Sequence, residues 1–143
     1  MKNDDLYIYT FYRFINIKNK KNIKNLLDKY FKTKLLRGTI LIANEGINAS
    51  ISGTEDDLLD TIKVIKRLLR IRKLNIKINN NKFLPFNRIK VRLKKEIVSL
   101  GKEEIDVNKF TGDFIHPAKW NNTIKKKDIR LIDTRNIYEI SIG

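Results

Sequence analysis

The sequence predicts an α+β fold in which two β-α-β units share one antiparallel sheet. Apolar residues recur at helical spacing along 23–31 and 58–69, which predicts two amphipathic helices. Short apolar or alternating stretches predict four strands, at 6–15, 35–43, 49–53 and 74–78. The order β-α-β, turn, β-α-β is the ferredoxin-like pattern, whose right-handed crossovers place both helices on one face of the sheet.

The first β-α-β unit consists of a strand, a helix and the first strand of a hairpin. Residues 6–15 are rich in aromatic and β-branched side chains, as strands are. The helix that follows presents one apolar stripe, made of Ile23, Leu26, Leu27, Tyr30 and Phe31. The apolar strand "LLRGTILIA" (35–43) then meets a turn, "NEGIN" (44–48), and a short strand, "ASISG" (49–53), which together predict a hairpin.

In the second β-α-β unit, the helix after the hairpin begins at a capping signal. Thr54 is followed three residues later by Asp57, which resembles a capping box with Asp in place of the usual Glu. The second helix buries a stripe made of Leu58, Leu59, Ile62, Ile65, Leu68 and Leu69. The alternating stretch "LNIKI" (74–78) completes the unit as a strand.

A further strand, a linker and a second region follow. "RIKVRLKKEIVSL" (88–100) predicts an extra strand, and 101–114 reads as a loop. Residues 116–126 predict a short helix with Pro117 in its first turn, and 129–133 predict a strand that runs into a turn. We therefore expect three parts, with boundaries at 1–112, 113–128 and 129–143.

The net charge is +15, from 31 basic and 16 acidic residues. A basic surface attracts polyanions, which makes nucleic acid the expected partner. Base-composition drift is the competing explanation, because the 22 Lys, 16 Asn and 23 Ile all have A/T-rich codons. Only clustered charge therefore counts as evidence for binding.

Residue counts argue against several classes of site. The sequence has no cysteine, which removes disulfides, thiolate nucleophiles and the common zinc sites, and its single histidine, His116, argues against a histidine metal centre or triad. No P-loop, GxGxxG, HExxH or EF-hand pattern occurs.

No apolar run approaches the roughly 18 residues that span a membrane, and the start lacks the order of a signal peptide. We expect no metal, no membrane partner and a cytoplasmic location.

The strongest local signal for binding is a row of cations on the extra strand. Ile89, Val91 and Leu93 alternate with Arg88, Lys90, Arg92 and Lys94, so one face is apolar and the other is basic. Like charges at period two lie about 7 Å apart, near the spacing of successive phosphates. The alternative is a solvated edge strand, on which lysine deters strand-to-strand aggregation. The residues leave both interpretations open.

Two shorter motifs have equally plain structural explanations. In "NEGIN", Gly46 permits a tight turn and Asn48 tolerates one, which favours a hairpin; the functional alternative is a loop with Glu45 and Asn48 as polar ligand contacts. In "DTR", Asp133 and Arg135 follow a predicted strand, where α/β sites often form, yet they can equally make a salt-bridged turn. His116, before Pro117, is expected to cap a helix or to lie on the surface.

Read together, five stretches resemble one family. "YTFYRF", "RGTILIANEGINASISG", "RIKVRLKKEIVSLG", "HPAKWN" and "LIDTRNIYEISIG" are similar, in order and spacing, to the rhodanese-related tRNA uridine hydroxylases. The resemblance implies an acylphosphatase-like (ferredoxin-like) domain followed by the start of an α/β rhodanese domain. It also implies tRNA as partner and oxygen-dependent hydroxylation of the wobble uridine to 5-hydroxyuridine, with molecular oxygen as co-substrate and no other cofactor in this chain.

The family's catalytic cysteine lies on a loop beyond the "LIDTRN" stretch and has no counterpart here, since the sequence contains no cysteine. The resemblance therefore assigns no catalytic residue to this chain. Three alternatives stay open: a tRNA-modifying enzyme, a non-catalytic tRNA-binding remnant of a truncated gene, and an inert product of gene decay. An isolated rhodanese strand at 129–133 would lack neighbours, so we expect residues after about 114 to be loosely held, or the strand to borrow a sheet edge.

Overall fold

The structure, a computed structural model, describes residues 5–98 and 112–142 and divides into two compact units, Met1–Phe110 and Thr111–Gly143. In the first unit, α1 and α2 lie along a single sheet. The helices are α1 (Lys20–Phe31) and α2 (Glu55–Leu69). The strands are β1 (Leu6–Phe14), β2 (Arg37–Ala43), β3 (Gly46–Thr54), β4 (Ile76–Asn81) and β5 (Ile89–Leu93).

The strand order is β4-β1-β3-β2-β5. β1 pairs antiparallel with β3 and β4, and β2 pairs antiparallel with β3. These four strands make the predicted ferredoxin-like βαββαβ arrangement, which is confirmed. The extra strand β5 joins the free side of β2 in parallel, so it forms one edge of the sheet.

The core lies between the helices and one face of the sheet. Alternate strand residues such as Tyr9, Phe11, Ile40 and Ile51 are buried there, because successive side chains of a strand point to opposite faces. The helices contribute their apolar stripes, and each fully buried Leu or Ile adds about 1.5–3 kcal/mol of burial free energy. Within the predicted stripes, Leu26 and Leu59 are the members that lie exposed at the margin.

The hairpin between β2 and β3 is tighter than the sequence predicts. Only Asn44 and Glu45 form the turn, and β3 begins at Gly46 rather than residue 49. Gly46 pairs with Ala43 on one side and Phe14 on the other. A Cβ at Gly46 would lie 2.2 Å from the carbonyl oxygen of Arg13, so the missing side chain is what lets this residue join the sheet.

Local capping fixes where α2 begins. Thr54 Oγ1 accepts a hydrogen bond from the backbone N–H of Asp57 at 3.4 Å, which confirms the predicted cap. Three carboxylates occupy the first turn, next to the positive end of the helix dipole: Glu55, Asp56 and Asp57.

The connection from β4 to β5 crosses the sheet on the face that the helices leave open. Four strand spacings of about 4.8 Å separate these opposite edges, about 19 Å in all, and the chain from 81 to 89 reaches about 26 Å when extended. Ser52 Oγ donates to the carbonyl of Pro85 at 3.1 Å, and Arg37 Nη1 donates to the carbonyl of Phe86 at 3.3 Å. Because Ser52 points away from the helices, these bonds place the crossing over the open face.

The second unit contains α3 (Pro117–Ile124) and α4 (Ile137–Ile142) among its described residues. His116 caps α3, its Nδ1 accepting from the N–H of Ala118 at 3.3 Å, as expected. The predicted strand at 129–133 is wrong: this segment forms no strand, and Ile132 is 73% exposed. An inner parallel strand needs a strand on each side to pair with, and no strand pairs with this segment among the described residues of its unit.

Candidate nucleic-acid interface

The predicted cation row lies along β5 and its two ends. Lys90 and Arg92 belong to the strand, while Arg88 and Lys94 flank it. The Gly38 N–H donates to the Arg88 carbonyl at 3.2 Å, and the Lys94 N–H donates to the Ile42 carbonyl at 2.9 Å. Backbone pairing with β2 thus covers all four alternate positions, although the strand ends at Leu93 and not at residue 100; residues 99–100 lie outside the described part.

The two faces of β5 differ as the alternation predicts. Val91 is 8% exposed and belongs to the core, with Ile89 and Leu93 packed against it. Arg92 is exposed and lies in register with Leu41, on the face away from the helices. β5 is also an edge strand, as the competing interpretation requires, so position alone does not choose between phosphate contact and a solvated edge.

Acidic residues are absent from the strands, whereas basic residues occur on both the strands and the helices. None of the five strands contains an Asp or Glu, whereas together they contain five basic residues: Arg13, Arg37, Lys77, Lys90 and Arg92. Carboxylates are instead concentrated on α2. Base-composition drift raises the lysine content everywhere, but it does not remove acids from one layer. The strands therefore carry only basic charge, which suits an anionic partner, and strands in general contain little Asp and Glu.

Glu45 and Asn48 hold a segment of their own chain. The Glu45 carboxylate accepts from the Ile97 N–H at 2.6 Å, and Asn48 Nδ2 donates to the Ile97 carbonyl at 3.4 Å. Ile97 is 4% exposed, and its Cδ1 would lie 3.0 Å from a Cβ at Gly46. These side chains form hydrogen bonds with the backbone of the segment that follows β5. The structure therefore supports the hairpin interpretation of "NEGIN" and places Gly46 and Asn48 in β3.

Asp133 and Arg135 form the salt-bridged turn. Arg135 Nη2 lies 2.9 Å and Nε 3.1 Å from Asp133 Oδ2, and the Arg135 N–H donates to Oδ1 at 3.0 Å. These bonds, the side-chain ones foremost, hold the pKa of Asp133 below its usual value. Asn136 next donates to the Glu139 carboxylate at 2.8 Å, which starts α4.

A shallow cavity between α1 and α2 was missed by sequence reasoning. It measures about 380 Å³ and is lined by Tyr30, Lys34, Asp60, Lys63, Val64 and Arg67. Lys34 binds Asp57 at 2.6 Å, which raises the lysine pKa, and Lys63 binds Asp60 at 3.0 Å, which lowers the carboxyl pKa. Paired charges make this cavity a poor match for a polyanion. Its residues come from α1, α2 and the loop after α1, so no single sequence period predicts the cavity.

Two kinds of feature are absent from residues 5–98 and 112–142. No cluster of three or more His, Cys, Asp or Glu side chains there has the arrangement to hold a metal ion. No helix in these ranges combines the length and the apolar character that crossing a bilayer requires.

Comparison with known proteins identifies relatives across almost the whole chain. A profile described as the UPF0176 acylphosphatase like domain matches residues 6–97. Proteins named tRNA uridine(34) hydroxylase from Rickettsia massiliae (strain Mtu5) and Rickettsia typhi (strain ATCC VR-144 / Wilmington) are each 40% identical, over 141 and 144 residues. Each alignment covers 99% of this chain but 57% of the relative, so the chain spans little more than half of their length. The resemblance expected from the five stretches is confirmed.

A solved structure supports the fold. The dark-state structure of BlrB, a BLUF protein, matches with a TM-score of 0.53, covering 66% of this chain and 76% of BlrB. The sequence identity is 12%, so this likeness concerns the fold alone.

Proposed function

The chain belongs to the family of the UPF0176 acylphosphatase like domain, and from that membership we propose that it serves tRNA modification. The proposed reaction is the oxygen-dependent hydroxylation of the wobble uridine to 5-hydroxyuridine, with molecular oxygen as co-substrate. The observation that carries the proposal is 40% identity, over 99% of this chain, to proteins named tRNA uridine(34) hydroxylase. The site of action would be the cytoplasm.

The proposed contribution of this chain is to bind tRNA. Arg88, Lys90, Arg92 and Lys94 occupy alternate positions along one edge of a sheet whose strands contain no carboxylate. Lysine and arginine in such a row make contacts with phosphates that position a nucleic acid without reading its sequence. The remaining site candidates make contacts within the chain itself. Glu45 and Asn48 form hydrogen bonds with the Ile97 backbone, and Asp133 forms an ion pair with Arg135.

A second candidate function is tRNA binding without chemistry. The sequence contains no cysteine, so the family's catalytic thiol has no counterpart in these 143 residues. Ammonium and guanidinium groups stabilise anions but do not oxidise a uridine carbon. On this alternative the chain retains tRNA affinity and leaves the nucleoside unchanged.

Nucleoside analysis separates the two candidates. The chain is expressed in cells that lack their own tRNA uridine hydroxylases, and bulk tRNA is digested and examined for 5-hydroxyuridine. Formation of 5-hydroxyuridine supports the enzyme and makes the polar residues of the first unit the candidates for catalysis. Unmodified tRNA alongside soluble, folded chain supports binding alone.

Salt-dependent tRNA binding tests the cation row. Changing Arg88 and Arg92 to Ala should weaken tRNA binding and make the slope of log K against log salt shallower by about 1.4–1.8, since each lost phosphate contact accounts for about 0.7–0.9. The matched control replaces Arg67 and Arg72, which lie outside the sheet. Equal affinities and equal salt slopes for the two double variants would show that β5 is not part of the tRNA interface.

A further inference from the structure

The face of the sheet opposite the helices, here called the open face, has features that the cation row does not explain. Strand register aligns Thr10 of β1, Ser50 of β3 and Thr39 of β2 directly across the sheet. We call these three residues the hydroxyl row. Lys77 of β4 continues the row at one edge and Lys90 of β5 at the other. The row therefore consists of small hydroxyl side chains between two cations, which lie about 19 Å apart across four strand spacings.

The hydroxyl row is the floor of a trough. Its three residues are half-buried, and Thr10 Oγ1 lies 3.1 Å from Ser50 Oγ. On one side the Pro85 carbonyl covers Ser52, and on the other the Ile97 carbonyl covers Asn48. Asn48 and Ser52 are four residues apart on β3, so the two walls stand about 13 Å apart. This width accommodates one extended chain lying across the strands.

Tyr12 lies beside the trough on β1, an interior strand of the sheet. It is one row from Thr10 on the same face, and its side chain is 55% exposed. The ring of Phe14 contacts it edge-on, with centroids 6.0 Å apart and an interplanar angle of 70°. This contact restrains the Tyr12 ring while leaving more than half of the side chain in water. A restrained, exposed ring of this kind is a surface on which a planar base can stack.

Charge complementarity decides what fits the trough. Three cations border it, namely Lys77, Lys90 and Arg92, and none of the five strands carries a carboxylate. Hydroxyl groups of Ser and Thr bind phosphate and sugar oxygens. A partner that combines regular negative charge, sugar hydroxyls and flat rings satisfies all three features together, and single-stranded RNA is such a partner.

We propose that the open face binds unpaired nucleotides of RNA, with one base stacked on Tyr12 and the backbone running over the hydroxyl row between Lys77 and Lys90. This inference rests on the proposed function only for the identification of the RNA as a tRNA, whose loops supply unpaired bases. In a duplex the base faces are already stacked, so paired RNA does not use Tyr12.

The first test measures binding of a labelled, unstructured RNA of about eight nucleotides by fluorescence anisotropy. Tyr12→Ala should weaken binding by about 5- to 150-fold, the range for losing one stacked base, without changing the slope against salt. Tyr12→Phe keeps the ring and should bind within about twofold of the wild type. The matched control is Tyr138→Ala, since Tyr138 is 65% exposed on α4.

The second test uses the far edge of the sheet, which the cation row on β5 does not include. Lys77→Ala should make the salt slope shallower by about 0.7, as expected for one lost phosphate contact with a single strand. Lys21→Ala, at an exposed position of α1, is the matched control and should leave the slope unchanged. Circular dichroism of each variant confirms that the fold is intact.

Two results would overturn the inference. In the first, Tyr12→Ala and Lys77→Ala bind the oligonucleotide as Tyr138→Ala and Lys21→Ala do. In the second, the chain self-associates and Tyr12→Ala abolishes that association instead, which makes the open face a protein interface. If tRNA binding still depends on Arg88 and Arg92 in either case, the proposed function stands without this inference. Conversely, oligonucleotide binding through Tyr12 without 5-hydroxyuridine formation would support the inference and contradict the proposed hydroxylation.

Discussion

At the scale of single residues, Gly46 shows how one missing side chain fixes a strand boundary. An added Cβ would lie 2.2 Å from the Arg13 carbonyl oxygen and 3.0 Å from Ile97 Cδ1. The first obstacle is backbone, so it does not move aside cheaply, and we expect Gly46→Ala to lower the free energy of unfolding by about 1–3 kcal/mol or more. Urea denaturation measures the loss. Gly112→Ala is the control, because nothing lies within 4 Å of its Cβ position, and equal midpoints for both variants would contradict the prediction.

The Asp133–Arg135 pair makes a second prediction at this scale. Arg135 holds the Asp133 pKa below its usual value. The charged pair therefore stabilises the turn fully when the pH is above that usual pKa. The contribution is lost as pH falls through the lowered pKa. Arg135→Ala should therefore raise the Asp133 pKa, observed by carbon NMR titration of its carboxyl. Asp60, whose pKa is lowered by Lys63, should stay low in the variant; an unchanged Asp133 would show that Arg135 is not the cause.

At the scale of elements, residues 129–134 test whether apolar composition alone makes a strand. The sequence "IRLIDT" is rich in apolar residues like β2, yet it forms no strand, while β2 pairs on both sides with β3 and β5. Amide hydrogen exchange should therefore be fast across 129–134 and slow across 37–43, because protection follows hydrogen bonding and burial. Equal protection of the two segments would contradict this expectation.

At the scale of the whole molecule, the core found within residues 5–98 and 112–142 belongs to the first unit. Every residue of the main hydrophobic cluster in these ranges lies between Tyr9 and Val91. A chain containing only residues 1–98 should consequently fold by itself and unfold in one cooperative urea transition, since it keeps the apolar burial of that cluster, which drives folding. Circular dichroism with intrinsic tyrosine fluorescence follows the transition. A broad, non-cooperative loss of signal would mean that residues beyond 98 are needed for folding.

The sequence predicted much of the fold but less of the site. Both helices and the cap at Thr54 were predicted, because periodicity and capping depend on residues a few positions apart. Strand ends were predicted less well: β3 begins three residues early and β4 runs to Asn81 instead of residue 78. The Glu45–Ile97 bond joins residues 52 positions apart, and no local pattern signals such a contact.

The sequence by itself determined the alternation of Ile89, Val91 and Leu93 with four cations, the ferredoxin-like element order and the lack of any thiol. These properties are local or compositional, so they are present before the chain folds. Only the tertiary structure decided that Lys77, Thr10, Ser50, Thr39 and Lys90 lie in one row across the sheet. These residues come from five strands, and a shift of one residue in any pairing would turn that strand's members of the row toward the helices. Register, which the buried face sets, therefore creates the open face proposed to bind RNA.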